Sequence, residues 1–234
     1  MKVAVMQPYL FPYIGYFQLV NAVDYFVFAD DVNYIKRGFI NRNKILLNNQ
    51  EQYFTVPCHK PSQNRLINEI KIADDMKGYP ENILLTIRQA YKKAPFFTEV
   101  FPIIESLFHS GIDSIATLAA RSVESVAKYL EIEVDLKFSS VSFSHTKGQE
   151  RSARLINITK ESGSDHYINP IGGNILYDKE HFKSHGITLE FLSPQIRPYT
   201  QFTDDFVPNL SIIDVLMFNS PEQTKILLEQ YKLV

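Results

Sequence analysis

A mostly parallel α/β fold is predicted by three observations: an opening in the order strand, helix, strand; a turn-flanked pair of alternating strands; and a return of strand and helix after a helical middle. Val3–Met6 is a short apolar run, Ile14–Ala22 has helical spacing through Ile14, Phe17, Leu19 and Val20, and Asp24–Ala29, DYFVFA, reads as a second buried strand. A helix joining two buried strands is the usual crossover of a parallel sheet. Asn43–Leu47 and Gln52–Pro57 alternate on either side of Asn48-Asn49, residues that tolerate positive φ, and predict a hairpin that projects from the sheet.

The middle of the chain is helical. Tyr79–Lys93 has Pro80 in its first turn, a stripe through Ile83, Ile87, Ala90 and Tyr91, and Pro95 as its stop. Phe96–Phe108 repeats the pattern. A third helix starts at Asp113 or Ser114 as cap and runs to about Leu130, with Ile115, Leu118, Ala119, Val123 and Val126 on one stripe. Alternation then resumes: strand Val134–Phe138, helix Gln149–Glu161 closed by Gly163, strand His166–Asn169 halted by Pro170, a short helix from Asp178 to Gly186, and strand Ile187–Leu192. Ser211 with Asp214, and Ser220 with Pro221 and Gln223, resemble capping boxes for two terminal helices. With no repeat, linker or low-complexity tract, residues 1–234 are expected to form a single α/β domain with a Rossmann-like core, a helical portion at about 79–130 and a β-hairpin insertion.

Composition removes several function classes. Twenty-four basic and 26 acidic residues nearly cancel, so no global field draws nucleic acid or an anionic membrane. The lone Cys58 rules out a disulfide framework and a Cys-cluster zinc site, and suits a reducing compartment. MKVAVMQPYL is too short in apolar residues for a signal segment or a span, so the expected location is cytoplasmic, without membrane insertion. No Walker, dinucleotide-binding, Gly-x-Ser-x-Gly or His-Glu-x-x-His pattern occurs, and His145, His166, His181 and His185 lack the spacing of a repeated ligand set. No metal ligand is assigned, and Mg²⁺ is the one cofactor that a carboxylate pair would invite.

Polar chemistry concentrates in Met6–Asn43. Gln7, Tyr9, Tyr13, Tyr16 and Gln18 set amide and phenol groups among apolar neighbours, and buried polar groups need partners, of which a polar ligand is one. This turn follows a strand and opens a helix, the place where α/β proteins bind ligands, and Gly15 allows close approach. Core or lid packing explains each tyrosine taken alone equally well. Asp30 and Asp31 directly follow a buried strand, so both carboxylates are expected at the sheet's carboxyl edge near Tyr13 and Gln18, orienting a hydroxyl, binding Mg²⁺ or acting as general base. Lys36, Arg37, Asn41, Arg42 and Asn43 bring cations and amides suited to a pyrophosphate or carboxylate. A second constellation comprises Lys147, Arg151, Tyr167, Asn169, Gly172, Gly173 and Tyr177, with Arg154 three residues beyond Arg151 and Glu150 able to form a surface pair with it. Tyr199, Gln201, Asp205 and Asn209 form a polar loop before LSIIDVLMF, where a capping role accounts for Asp214.

Four blocks carry a resemblance: QPYLFPYIGYFQL from Gln7, DDVNYIKRGFINRN from Asp30, YINPIGG from Tyr167 and LSIIDVLMFN from Leu210. In this order they resemble the WbqC-like family, which is associated with bacterial O-antigen and other surface-polysaccharide gene sets. Pro12-Tyr13-Ile14-Gly15-Tyr16 with Leu19 is similar in spacing to the Pro-x-His-x-Gly-His segment of nucleotidylyltransferase-like enzymes, with Tyr at both histidine positions. A tyrosine hydroxyl bonds a phosphate but carries no positive charge at neutral pH, so this second likeness speaks to fold rather than to nucleotidyl transfer. The resemblance implies the pathway, synthesis of surface-polysaccharide precursors, while the residues supply an anion grip and a carboxylate pair. Together they give as the first reading a transferase acting on a nucleotide-activated sugar by acyl or aminoacyl transfer to an amino sugar, since an Asp base could deprotonate the amine. Asp30, Asp31 and Tyr16 are then its catalytic groups, and a nucleotide sugar plus an acyl or aminoacyl donor its partners. A Mg²⁺-dependent glycosyltransferase or nucleotidylyltransferase is the second reading. A non-catalytic nucleotide-sugar binding or assembly protein is the third.

Overall fold

The computed structural model describes residues 1–234. Its central sheet has six strands: β1 (Lys2–Met6), β2 (Tyr25–Phe28), β5 (Asp135–Phe138), β6 (His166–Pro170), β7 (Thr188–Pro194) and β8 (Tyr231–Leu233). They lie in the order β5-β2-β1-β6-β7-β8, all neighbours parallel except the antiparallel pair β7 and β8. The hairpin β3 (Arg42–Leu47) and β4 (Gln50–Thr55) forms its own antiparallel sheet. Helix α1 (Ile14–Asn21) joins β1 to β2; α2 (Glu81–Tyr91), α3 (Phe97–Phe108) and α4 (Ile115–Tyr129) fill the middle; α5 (Ser139–Ser142), α6 (Arg151–Glu161) and α7 (Lys179–Ser184) accompany β5 to β7; α8 (Ile212–Phe218) and α9 (Pro221–Leu228) precede β8. This is a Rossmann-like α/β arrangement, as the strand and helix alternation predicts. No helix is long and apolar enough to cross a membrane.

Period-two alternation explains why the strands read as unbroken apolar runs: both faces of the sheet are covered. Ala4, Phe26, Phe28, Ile168 and Leu192 join a core of 47 buried residues with α1, the helical middle, the hairpin and α8. The intervening Val3, Tyr167, Leu189 and Phe191 pack on the other face with Leu155 and Ile156 of α6 and Phe182 of α7. Val27 packs there with Phe143 and Ile158.

Strand order also fixes where a crevice opens. From β1 the chain steps outward to β2 and β5 on one side, then outward to β6 and β7 on the other, so the winding reverses between β1 and β6. β1 pairs with β2 over four residues, Val3 to Met6, but with β6 only through Lys2 and Val3. The carboxyl ends of β1 and β6 therefore separate. In doubly wound sheets that separation is the ligand crevice.

The caps are as expected at three helices. Ser114 accepts from the Thr117 amide, Asp178 from the Glu180 amide, and Ser220 forms a complete capping box with Gln223. Helix α6 begins at Arg151 rather than Gln149, because the Glu150 carboxylate accepts from the amides of Ser152 and Ala153; Glu150 is a cap and not a surface partner of Arg154. The second hairpin strand starts at Gln50 rather than Gln52, since the turn has only two residues: Leu47 pairs with Gln50, and Asn48 and Asn49 take φ of 52° and 60°. Both central residues are left-handed, which is a type I′ turn. Asn49→Val should therefore destabilise the fold by about 1–2 kcal/mol and Asn49→Gly should not, as read from urea unfolding midpoints; equal midpoints would disprove the turn assignment.

Candidate functional site

The segment Gln7–Tyr13 leaves β1 and is held in one shape by three buried side chains. Phe11, with φ of 40°, is the strained point. Its amide donates to Ser122 Oγ at 2.8 Å, and its carbonyl accepts from Asn43 Nδ2 and from Ser211 Oγ, both at 2.7 Å. Asn43 Nδ2 also donates to the Leu10 carbonyl at 3.0 Å. Helix α1 then begins with Tyr13 as a cap that makes no side-chain capping bond.

Between this segment and the carboxyl ends of β1, β6 and β7 lies a cavity of about 500 Å³. Met6, Pro170, Leu192 and Pro194 supply its sheet side, Tyr9, Pro12, Tyr13, Gly15, Tyr16 and Leu19 its helix side, and Phe39, Asn43, Lys44, Ile171, Gly172 and Asn209 complete the wall. Aromatic rings dominate it: Tyr9 lies 5.7 Å from Tyr16 and 6.2 Å from Phe39 between centroids. Such rings bind flat or ring-shaped groups by face and edge contacts. Gly15 is explained by the Tyr13 ring, whose Cε2 would lie 2.4 Å from any Cβ there. Burial raises the phenol pKa of Tyr9, Tyr13 and most of all Tyr16, with the neighbouring Tyr13 adding to the shift at Tyr9 and the neighbouring Tyr9 at Tyr16. The three are therefore neutral donors rather than bases. Tyr16 Oη donates to the Gln7 carbonyl at 2.9 Å, and Tyr9 Oη faces Gln7 Oε1 at 3.4 Å.

The expected single cleft is thus divided. Tyr9, Tyr13, Gly15, Tyr16, Asn43 and Gly172 line the cavity; Asp30 and Asp31 do not. Both carboxylates are buried and occupied beyond β2. Asp30 accepts from the Ser140 amide at 3.0 Å, from Ser140 Oγ at 2.6 Å and from Asn68 Nδ2 at 3.3 Å. Asp31 accepts from Ser139 Oγ, and Arg154 Nη2 reaches both of its oxygens at 2.7 Å while Arg154 Nε donates to Thr146 Oγ1. The network ties β2 to α5 and α6. Gln18, expected beside the carboxylates, is wholly buried and turns the other way, donating to the carbonyls of Leu227 in the last turn of α9 and of Gln230 just after it.

The basic cluster is dispersed as well. Arg42 donates to the carbonyls of Gly38 and Arg37 and stacks on Tyr53 at 4.7 Å, whereas Lys36 and Arg37 are exposed. Asn41 is an internal tie, receiving Tyr34 Oη and donating to the Val56 carbonyl. In the second constellation, Tyr167 is buried on the α6 and α7 face and stacks on Phe182, which period two dictates because Ile168 faces the cavity side. Asn169 shares its parity and packs its amide where a Gly173 side chain would go. Lys147 and Arg151 are exposed, and Tyr177 lines a separate groove beyond Ile171. Sequence reasoning passed over Phe39, Lys44 and the strand-end prolines; Phe39 lay inside a recognised block and Lys44 directly after Asn43.

Two ionisable groups elsewhere have clear structural roles. Burial pushes the Cys58 thiol up to about 12, so it is no nucleophile. Asp214, read from sequence as a cap, does not cap: Ser211 takes the Ile213 amide, and the Asp214 carboxylate accepts from Tyr91 Oη at 2.8 Å and from Tyr199 Oη and Gln201 Nε2 at 2.7 Å. It fastens α2 and the 195–211 loop, with Asn209, to α8. Exposed His59, Asp74 and Asp75 bring ligand atoms within 4.8 Å of one another, and none of them lines the cavity.

A Rossmann-like sheet with an aromatic cavity at its winding reversal defines the class of this protein. The chain belongs to the WbqC-like protein family, whose model matches residues 7–226. It is 27% identical over 221 residues, 93% of either chain, to the uncharacterized protein Rv1507c of Mycobacterium tuberculosis. No solved structure matches it significantly.

Two outcomes follow from these contacts. Arg154→Gln leaves a buried Asp31 without its cation and should cost about 3–5 kcal/mol of stability, measured by denaturant unfolding; an unchanged midpoint would remove the structural role. Burial, opposed by its three donors, raises Asp214 above its ordinary value. Its stabilising share is then full below the unfolded value and is lost as pH rises through the folded one. The stability of wild type relative to Asp214→Asn should accordingly fall as pH is raised from about 3 toward 7, in paired thermal melts. A flat difference would refute the raised pKa.

Proposed function

We propose that this chain binds a nucleotide-activated sugar in the cavity and serves as a transferase in bacterial surface-polysaccharide precursor synthesis, with acyl or aminoacyl transfer to an amino sugar as the reaction. The observation that carries the reading is the 500 Å³ cavity at the winding reversal of the sheet, walled by Tyr9, Tyr13, Tyr16 and Phe39. Its size and aromatic lining suit one ring of a nucleotide or sugar, not a macromolecule. The pathway rests on the family likeness alone. In this reading Tyr9 and Tyr13 contact the ring, Tyr16 braces the wall through Gln7, and the Asp30, Asp31 and Arg154 network fixes the neighbouring strand end rather than touching substrate.

A second reading, nucleotide-sugar binding without turnover, is favoured by one observation: no carboxylate or imidazole lines the cavity. Aminolysis of an activated acyl donor asks less of a protein base than hydrolysis or glycosyl transfer, and an incoming donor would bring its own leaving group; for that reason acyl transfer stays first.

A thermal-shift panel of UDP-, dTDP- and GDP-linked amino sugars tests the site. A ligand present at 100 times its Kd stabilises by about 2.7 kcal/mol. Gly172 lines the cavity, and a Cβ built there meets nothing within 4 Å. Gly172→Trp should therefore leave the intrinsic melting temperature unchanged and abolish the ligand shift. A shift that survives the Trp would move binding elsewhere. Product formation with acyl or aminoacyl donors separates transferase from binding protein.

A further inference from the structure

We infer that Lys44 is the residue that receives the ligand's diphosphate, and that Glu51 is an internal carboxylate which the diphosphate displaces; this rests on the nucleotide reading of the cavity. Lys44 is the single charged residue among those lining that cavity. Its Nζ lies 2.5 Å from Glu51 Oε1. The two sides of the pair are unequal, since the Lys44 side chain is 17% exposed and that of Glu51 43%. Glu51 is outside the cavity wall.

The hairpin does not need this lysine for its own assembly. Asn43 and Ile45, which flank it, are buried and do the packing, and the Lys44 backbone carbonyl accepts from the Ser211 amide whatever the side chain. In register Lys44 faces Tyr53 and Glu51 faces Leu46, so Glu51 reaches diagonally across the ladder to the ammonium. A diagonal, half-exposed pair of this kind contributes little to stability. What it does accomplish is neutralisation of the only cation on an otherwise uncharged aromatic wall. A diphosphate presents more charge and more acceptor oxygens than one carboxylate, and charge-assisted bonds to it are stronger. Glu51, already facing water, loses little when released into it. Lys44 cannot leave so easily. Tyr13 and Asn209 line the same cavity and offer uncharged donors beside it. Of the three cations suggested by sequence, Arg42 is already committed to the carbonyls of Gly38 and Arg37, and Lys36 and Arg37 are exposed outside the cavity wall.

Binding of UDP, dTDP and GDP, and of the corresponding nucleosides as uncharged controls, is measured by titration calorimetry on wild type, Lys44→Gln, Lys44→Arg, Glu51→Gln and Gly172→Trp. For the best-bound diphosphate, Lys44→Gln should weaken binding about tenfold or more and leave the nucleoside unaffected, the scale of one charge-assisted bond. Lys44→Arg should restore most of the loss, Glu51→Gln should tighten binding severalfold, and the salt dependence of binding should flatten in Lys44→Gln. The inference is overturned if diphosphates bind no better than nucleosides, if Lys44→Gln matches wild type, or if no diphosphate binds either wild type or Glu51→Gln. Loss of binding in Gly172→Trp together with an indifferent Lys44→Gln defeats this inference and spares the cavity reading. Binding that persists in Gly172→Trp defeats the cavity reading itself.

Discussion

Everything at the candidate site depends on how the segment after β1 is held. A loop leaving a buried strand carries carbonyls and amides that must be satisfied away from water. Here Ser122 from α4, Asn43 from β3 and Ser211 at the start of α8 meet at Phe11, which keeps a left-handed backbone although it is buried. Three elements far apart in sequence thus fix one turn. The turn in turn sets the positions of Tyr9 and Tyr13 and the start of α1, and with them the cavity.

The second constraint is the short pairing of β1 with β6. A sheet wound outward from its first strand in both directions has one place where neighbouring strands send their connections opposite ways, and only there do the carboxyl ends stand clear. Polar groups that follow β2 do not benefit from that opening, because β5 and α5 cover them. Asp30 and Asp31 consequently form a buried junction with Ser139, Ser140 and Arg154. The site is left with phenols, amides and one lysine, a set suited to binding a ring and an anionic group.

The same contrast appears in the residues that sequence reading ranked. Asn43 is a polar residue in a cluster of cations, and from sequence a ligand contact and a backbone tie are indistinguishable; the tie to Leu10 and Phe11 emerges only when the hairpin folds back on the first loop. Tyr167 and Asn169 lie next to the strand-end glycines, yet strand parity sends them to the opposite face of the sheet. Asp214 occupies a capping position by spacing, and its carboxylate is taken by Tyr91 from more than a hundred residues upstream.

What the sequence determined by itself was local or periodic. Apolar alternation and helical stripes marked the strands and helices, Asn48-Asn49 marked the turn, and Ser114, Asp178 and Ser220 marked helix starts, because each of these signals depends on residues within a few positions of one another. The Rossmann-like class followed from the order of those elements. Tertiary structure alone decided which polar residues met. Hydrogen bonds such as Asn43 to Phe11, Arg154 to Asp31 and Gln18 to Leu227 join residues 32, 123 and 209 positions apart. Whether a polar side chain serves a ligand or the fold is settled by which backbone groups and charges reach it first in space, and that depends on how strands pair and splay rather than on spacing along the chain.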